Sequence, residues 1–245
     1  MAKGSRGGKR GSSIKKGAVT YQSIQQANNM NELQSLMNQR GIKVSDELFN
    51  ENLKFNEIRD AMAGATYVLD EFGVDMGEYG TFTGFGVKRS GVMCASFNGS
   101  INFTPKYFEK GTPNLDVVMN GSSYHPKNQN AFTTASHEAG HILERALIGK
   151  NYDNLYDQLT AWNKCTMASK IISESATRVK KSYKQQTGKT TTINSLVAQV
   201  SGYACKNRSE CFAECIADYV ANGKNSSLLS QEVWKTTKKY FGKEM

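Results

Sequence analysis

The chain has 245 residues, 38% of them hydrophobic, which suits one domain with a real core, with or without a tail. No run of eighteen apolar residues occurs, and neither an apolar stretch nor an acylation box follows Met1, so no transmembrane helix, secretory signal or lipid anchor is expected. Of the net charge of +9, residues 1–20 carry +6 without a single acid, and the +3 left on the other 225 argues against a large nucleic-acid groove.

Residues 1–20 read as a basic, flexible, Gly- and Ser-rich tail, able to touch nucleic-acid phosphates or another acidic partner weakly and without sequence specificity. Residues 21–75 read as an N-terminal helical region. Its first stretch, 21–40, carries Ile24, Met30, Leu33, Leu36 and Met37 and stops at Gly41. Its second starts after Ser45 as N-cap, runs through Leu48, Leu53, Ile58, Met62 and Leu69 to Gly73, and has room for a break at Gly64.

Residues 76–245 read as a second, larger domain. Thr81–Val87, Val92–Phe97 and Ser100–Thr104 predict three short strands of a small meander. Asn98-Gly99 predicts a two-residue hairpin turn with positive φ at both positions. Residues 105–130 hold all three prolines and predict loops. Helical periodicity returns over about 132–148, closed by Gly149, then over 153–186, over 207–222 closed by Gly223, and over 228–241. Helices, a small sheet, then helices imply an α+β fold. Five cysteines, an odd number in a chain too large to need staples, fit a reducing compartment; a cytoplasmic or virion-associated location is expected.

His137 and His141 stand four apart on the helix predicted over 132–148. That spacing puts both imidazoles on one face, one turn apart, able to share a cation. Glu138, next to the first, reaches past the metal to water that zinc acidifies, and can take its proton as general base. The chain has three histidines, and two fall in this motif. A catalytic zinc needs a third protein ligand. A metzincin would supply a histidine at 147, where Leu147 stands. His125, beside Pro126 in a predicted loop, is one possibility. Glu210 and Glu214 are the better candidates: two acids one turn apart on a half-apolar helix with Phe212, Ala213 and Ile216 are costly unless a dication compensates them.

The motif His137-Glu138-Ala139-Gly140-His141, followed by Tyr203 and then Glu210, Phe212, Ala213 and Glu214, resembles the gluzincin metallopeptidases. The resemblance is to the branch containing the catalytic domain of anthrax lethal factor and peptidases encoded by bacteriophages and mobile elements. It covers stretches of 5 and 12 residues, His137–His141 and Tyr203–Glu214. It implies a zincin-like fold and one zinc ion held by His137, His141 and Glu210. It implies Glu138 as general base, Tyr203 as a hydroxyl that stabilises the oxyanion, and Glu214 as an acid that orients a ligand histidine. Cys211 and Cys215 depart from the apolar residues expected beside those glutamates. The function expected is hydrolysis of protein or peptide substrates, with residues 91–104 lining the cleft as an edge strand. Two readings from other classes stay open. One is a structural protein, for instance of a phage particle, that keeps a zincin-like module of little activity. The other is a nucleic-acid-associated protein using residues 1–20. Glu138 speaks against the first, since a structural zinc has no use for a base.

Other signals have plainer explanations. Cys205, Cys211 and Cys215 lack the spacing and fourth ligand of a metal cluster and read as buried thiols. Gly188-Lys189-Thr190 imitates a phosphate loop, but Tyr183 stands where that loop needs glycine. Lys164, Lys170, Arg178, Lys180, Lys181 and Lys184 read as a solvated helix face.

Overall fold

The computed structural model describes residues 19–74, 83–121 and 124–243. Residues 1–18, which carry the basic tail, residues 81–82 of the first expected strand, and the proposed domain boundary at 75/76 lie outside these. Two short helices, α1 (Tyr21–Gln25) and α2 (Met30–Gln39), replace one continuous stretch, because Asn29 starts a new helix by accepting the Glu32 N–H at 3.0 Å. Strand β1 (Lys43–Val44), not anticipated, follows Gly41. Ser45 begins only a 3-10 turn over Asp46–Phe49, without a side-chain cap, and α3 begins later, at Phe55, and ends at Phe72.

Three strands follow: β2 (Gly84–Val87), β3 (Met93–Ala95) and β4 (Ser100–Phe103). They are not a meander. The sheet order is β1-β2-β4-β3, with β1, β2 and β4 parallel and β3 antiparallel to β4. The chain leaves β2, passes over the slot that β4 fills, and returns through a hairpin, which puts three-residue β3 on the sheet's edge. At the hairpin only Gly99 has positive φ, at 88°. The bonds Gly99 N–H to Ser96 O and Ser96 N–H to Ser100 O make a three-residue loop with a glycine bulge. Such a loop needs the left-handed region only at its glycine, and the Asn98 side chain accepts from Ser100.

The remainder is helical: α4 (Leu115–Asn120), inside a stretch expected to be loop, then α5 (Ala131–Asn151), α6 (Leu155–Asn163), α7 (Thr166–Thr187), α8 (Ile193–Ala198), α9 (Arg208–Asn222) and α10 (Leu228–Tyr240). Gly149 does not close α5, which runs on to Asn151 and caps at Tyr152. The expected 153–186 helix breaks at Cys165, which adopts φ 49° between α6 and α7. The class is α+β with a small mixed sheet. No helix among the described residues is long and apolar enough to cross a membrane.

Helix α5 is the axis of the molecule. It is buried on nearly every face, as a helix enclosed on all sides must be. Helices α3 and α9 pack on it, β3 and β4 lie against it, and one core runs from Ile24 to Trp234. Gly64 does not break α3; it lets α5 in. A Cβ there would sit on the carbonyl of Phe132, and the Ser136 hydroxyl donates to Gly64 O at 3.2 Å across the same contact. Gly64→Ala should therefore push the two central helices apart. The expected loss is about 1–3 kcal/mol or more of unfolding free energy, read from urea denaturation; an unchanged midpoint would show the contact to be slack.

Candidate metal centre

Two asparagine caps fix the frame of the site. Asn130 starts α5 by accepting the Thr133 N–H, while the Thr133 hydroxyl accepts the Asn130 N–H. Asn207 starts α9 by accepting the Glu210 N–H at 2.9 Å, which sets Glu210 in the first turn, where the helix dipole favours a carboxylate. Gly140 brings the two helices together, since a Cβ there would stand 2.9 Å from Ala213 Cα. His137 and His141 on α5 thus face the first turn of α9.

His137 Nε2, His141 Nε2 and Glu210 Oε2 converge. Glu210 Oε2 lies 3.2 Å from His137 Nε2 and 3.3 Å from His141 Nε2, yet it is buried and accepts no well-directed hydrogen bond. Two ligands on a tetrahedral zinc, each about 2.0–2.1 Å from it, stand about 3.3 Å apart. A buried carboxylate oxygen left unsatisfied is costly, and a cation among these three atoms would relieve it. Among the described residues, these three are the cluster of this kind suited to a metal.

The far nitrogens of the two imidazoles face different groups. Glu214 Oε1 lies 2.9 Å from His137 Nδ1, off the line of a straight hydrogen bond. Glu214 is itself buried, and its other oxygen accepts from Ser201 Oγ at 2.7 Å. On the other side, His141 Nδ1 lies 3.0 Å from Ser209 Oγ, which donates to buried Glu144.

Glu138 reaches toward the sheet. Its Oε2 accepts the Ala95 N–H of edge strand β3 at 2.6 Å. Val92 O and Ser96 N bond to Thr104 and Ser100 on the β4 side, so Met93 and Ala95 turn their backbone groups outward. A cleft of about 670 Å³ lies between this edge and α9, floored by His137, Glu138 and His141 and bounded by Trp162 and Tyr203. The part of 91–104 that lines it is β3 and the residues just before it; β4 lies inside the sheet. The Tyr203 hydroxyl donates to Glu210 Oε1 at 3.0 Å, and Lys206 Nζ donates to both, at 3.1 and 3.2 Å.

Without a metal, His137 and the two glutamates organise themselves as ion pairs. Burial opposes a charged His137, but the Glu210 and Glu214 carboxylates outweigh it and raise the imidazole to about 10. Burial likewise works against ionised Glu210, yet His137 and His141 hold it far below the usual carboxylate range. Glu214 is buried too, and is held down to about 2 by His125 and His137. Burial raises Glu144, against the pull of the Ser209 hydroxyl, and burial also raises the Tyr203 phenol.

Every residue singled out in the sequence for the site, His125 included, lines this cleft; His125 does not contribute a converging atom, and its Nδ1 rests 3.3 Å from Glu214 Oε1. The residues missed are Ser209, Glu144, Lys206 and Ala95. Glu144 carried a signal, as an acid three residues after His141 between Leu143 and Ala146 on the buried face. Ala95 carried none, because its backbone acts, not its side chain. Cys211 and Cys215 are buried free thiols, while Cys205 is exposed. Neither family models, nor curated proteins, nor solved structures yield a match to this chain.

Proposed function

We propose that this protein is a zinc-dependent metallopeptidase of zincin-like, gluzincin type, with His137, His141 and Glu210 as the metal's protein ligands. The observation that carries the reading is the buried, unsatisfied Glu210 Oε2 at tetrahedral-edge distance from two imidazole nitrogens whose rings turn their far nitrogens to Glu214 and Ser209. Bound there, zinc supplies a Lewis acid for a carbonyl oxygen and brings water's proton within reach of a carboxylate at neutral pH.

The chain's own groups do the rest. Glu138 takes the proton of the attacking water and later delivers it to the leaving amine. Its bond from Ala95 keeps the carboxylate between the ligand pair and β3. On β3 the Ala95 N–H is given to Glu138 and Met93 O accepts from Lys88 Nζ at 2.7 Å, so an extended peptide laid along this edge would pair with the outward Met93 N–H and Ala95 carbonyl. Tyr203 and Lys206 bring an O–H and an ammonium to the outer side of Glu210, where they can stabilise negative charge on the carbonyl oxygen.

The first test is metal content. Protein purified in the presence of zinc and then desalted should hold about one zinc per chain, and His137→Ala should hold almost none, since two remaining ligands rarely keep a catalytic metal. Elemental analysis of folded wild-type protein that finds no zinc would sink the reading.

A further inference from the structure

The two ligand histidines are held differently. His137 Nδ1 faces a carboxylate directly. His141 Nδ1 faces the Ser209 hydroxyl, which has one proton to give. With Glu144 ionised, that proton is committed to its Oε2, at 2.5 Å, a length typical of a hydroxyl donating to a carboxylate. Ser209 therefore has only lone pairs to offer His141, and His141 must carry its own proton on Nδ1. Its Nε2 is then a bare lone pair, 3.3 Å from Glu210 Oε2.

We infer that Glu144 and Ser209 are positioning residues that set the tautomer of His141 through a hydrogen-bond relay, an inference that rests on the zinc reading above. Glu144 is 1% exposed, and none of the ion pairs among the described residues involves it. Its neighbour Arg145 turns to the carbonyl and ring of Phe97. A buried carboxylate with only neutral donors is costly. A cation two hydrogen bonds away, through Ser209 and His141, compensates it.

Glu144 also has a structural task, and the two tasks can be separated. Its Oε1 accepts the Ala168 N–H at 3.1 Å in the first turn of α7, whose own N-cap, Cys165, supplies no side-chain bond. An amide can do this as well as a carboxylate. In Glu144→Gln the amide oxygen keeps the Ala168 bond and the NH2 turns to Ser209. Ser209 must then accept from the amide and give its proton to His141 Nδ1. The imidazole proton is forced onto Nε2, the nitrogen the metal needs. Ser209→Ala removes the relay without imposing the wrong tautomer, and leaves the cap of α7 intact.

The experiment uses the full chain in two measurements. Zinc affinity, by competition with a chromophoric chelator, should fall about 10–100-fold in Ser209→Ala, the usual cost of losing a partner behind a ligand, and further in Glu144→Gln. Nitrogen-15 NMR of the metal-free, histidine-labelled protein, at alkaline pH, should find His141 as the Nδ1–H tautomer in wild type and Nε2–H in Glu144→Gln. A role in capping alone would move neither reading in Glu144→Gln. Wild-type zinc affinity in both variants, or an Nε2–H His141 in wild type, overturns the relay. A wild type that binds no zinc but shows the tautomer exchange overturns the zinc reading and keeps the relay.

Discussion

Glu138→Gln should purify with the same zinc content and the same denaturation midpoint as the parent chain, and cleave peptide about 10²–10⁴-fold more slowly. The substitution is close to isosteric at a site only 8% exposed, so packing in the core of α5 is unaltered. The amide oxygen can still accept the Ala95 N–H, so the tie to β3 survives. The three converging atoms belong to His137, His141 and Glu210, and none is touched. What is lost is a group able to take a proton from water and hand it on. The measurement is kcat/KM on a peptide that the parent chain cleaves, with both proteins matched for metal content. Equal turnover would remove Glu138 from the mechanism, and loss of zinc would mean that it is bound into the metal site in some other way.

What the sequence displayed depended on whether one short segment could carry the information. His137, Glu138 and His141 are legible because a single helix fixes their relation, whatever surrounds it. Glu210 and Glu214 were legible as a pair, since two acids one turn apart on a half-buried helix demand compensation. Which helix end they occupy is settled by Asn207, a local cap. The sheet was harder. Its strand segments were visible, but pairing β2 with β4 instead of β3 is a long-range choice that three- and four-residue strands do not encode in their alternation. Gly64 was misread for the same reason: alone it signals a break, and only the carbonyl of Phe132, 68 residues away, shows it to be a contact. Ser209 and Glu144 act on His141 in series, from two elements, and nothing in either segment announces the other.

Glu210→Ala should lose zinc to mild chelation altogether, while Glu214→Ala should keep it with affinity lowered about 10–100-fold. The two glutamates sit one turn apart on α9, and the helix sends them to opposite sides of His137. Glu210 Oε2 lies against Nε2 of both histidines; Glu214 Oε1 lies 2.9 Å from Nδ1 of one. Removing Glu210 takes away one of the three converging atoms and leaves two. Removing Glu214 leaves all three converging atoms but frees the far side of His137 and strands Ser201 and His125, which also touch this carboxylate. Glu214 is 1% exposed, so its loss also opens a cavity, and Glu214→Ala should unfold at lower denaturant. Glu214→Gln separates the two effects. Its amide oxygen can still face His137 Nδ1 and its volume is unchanged, so affinity should recover most of the way to wild type. Affinities come from chelator competition on protein shown by circular dichroism to be folded. Retention of tight zinc by Glu210→Ala, with its loss from folded Glu214→Gln, would exchange the two roles and make Glu214 the ligand.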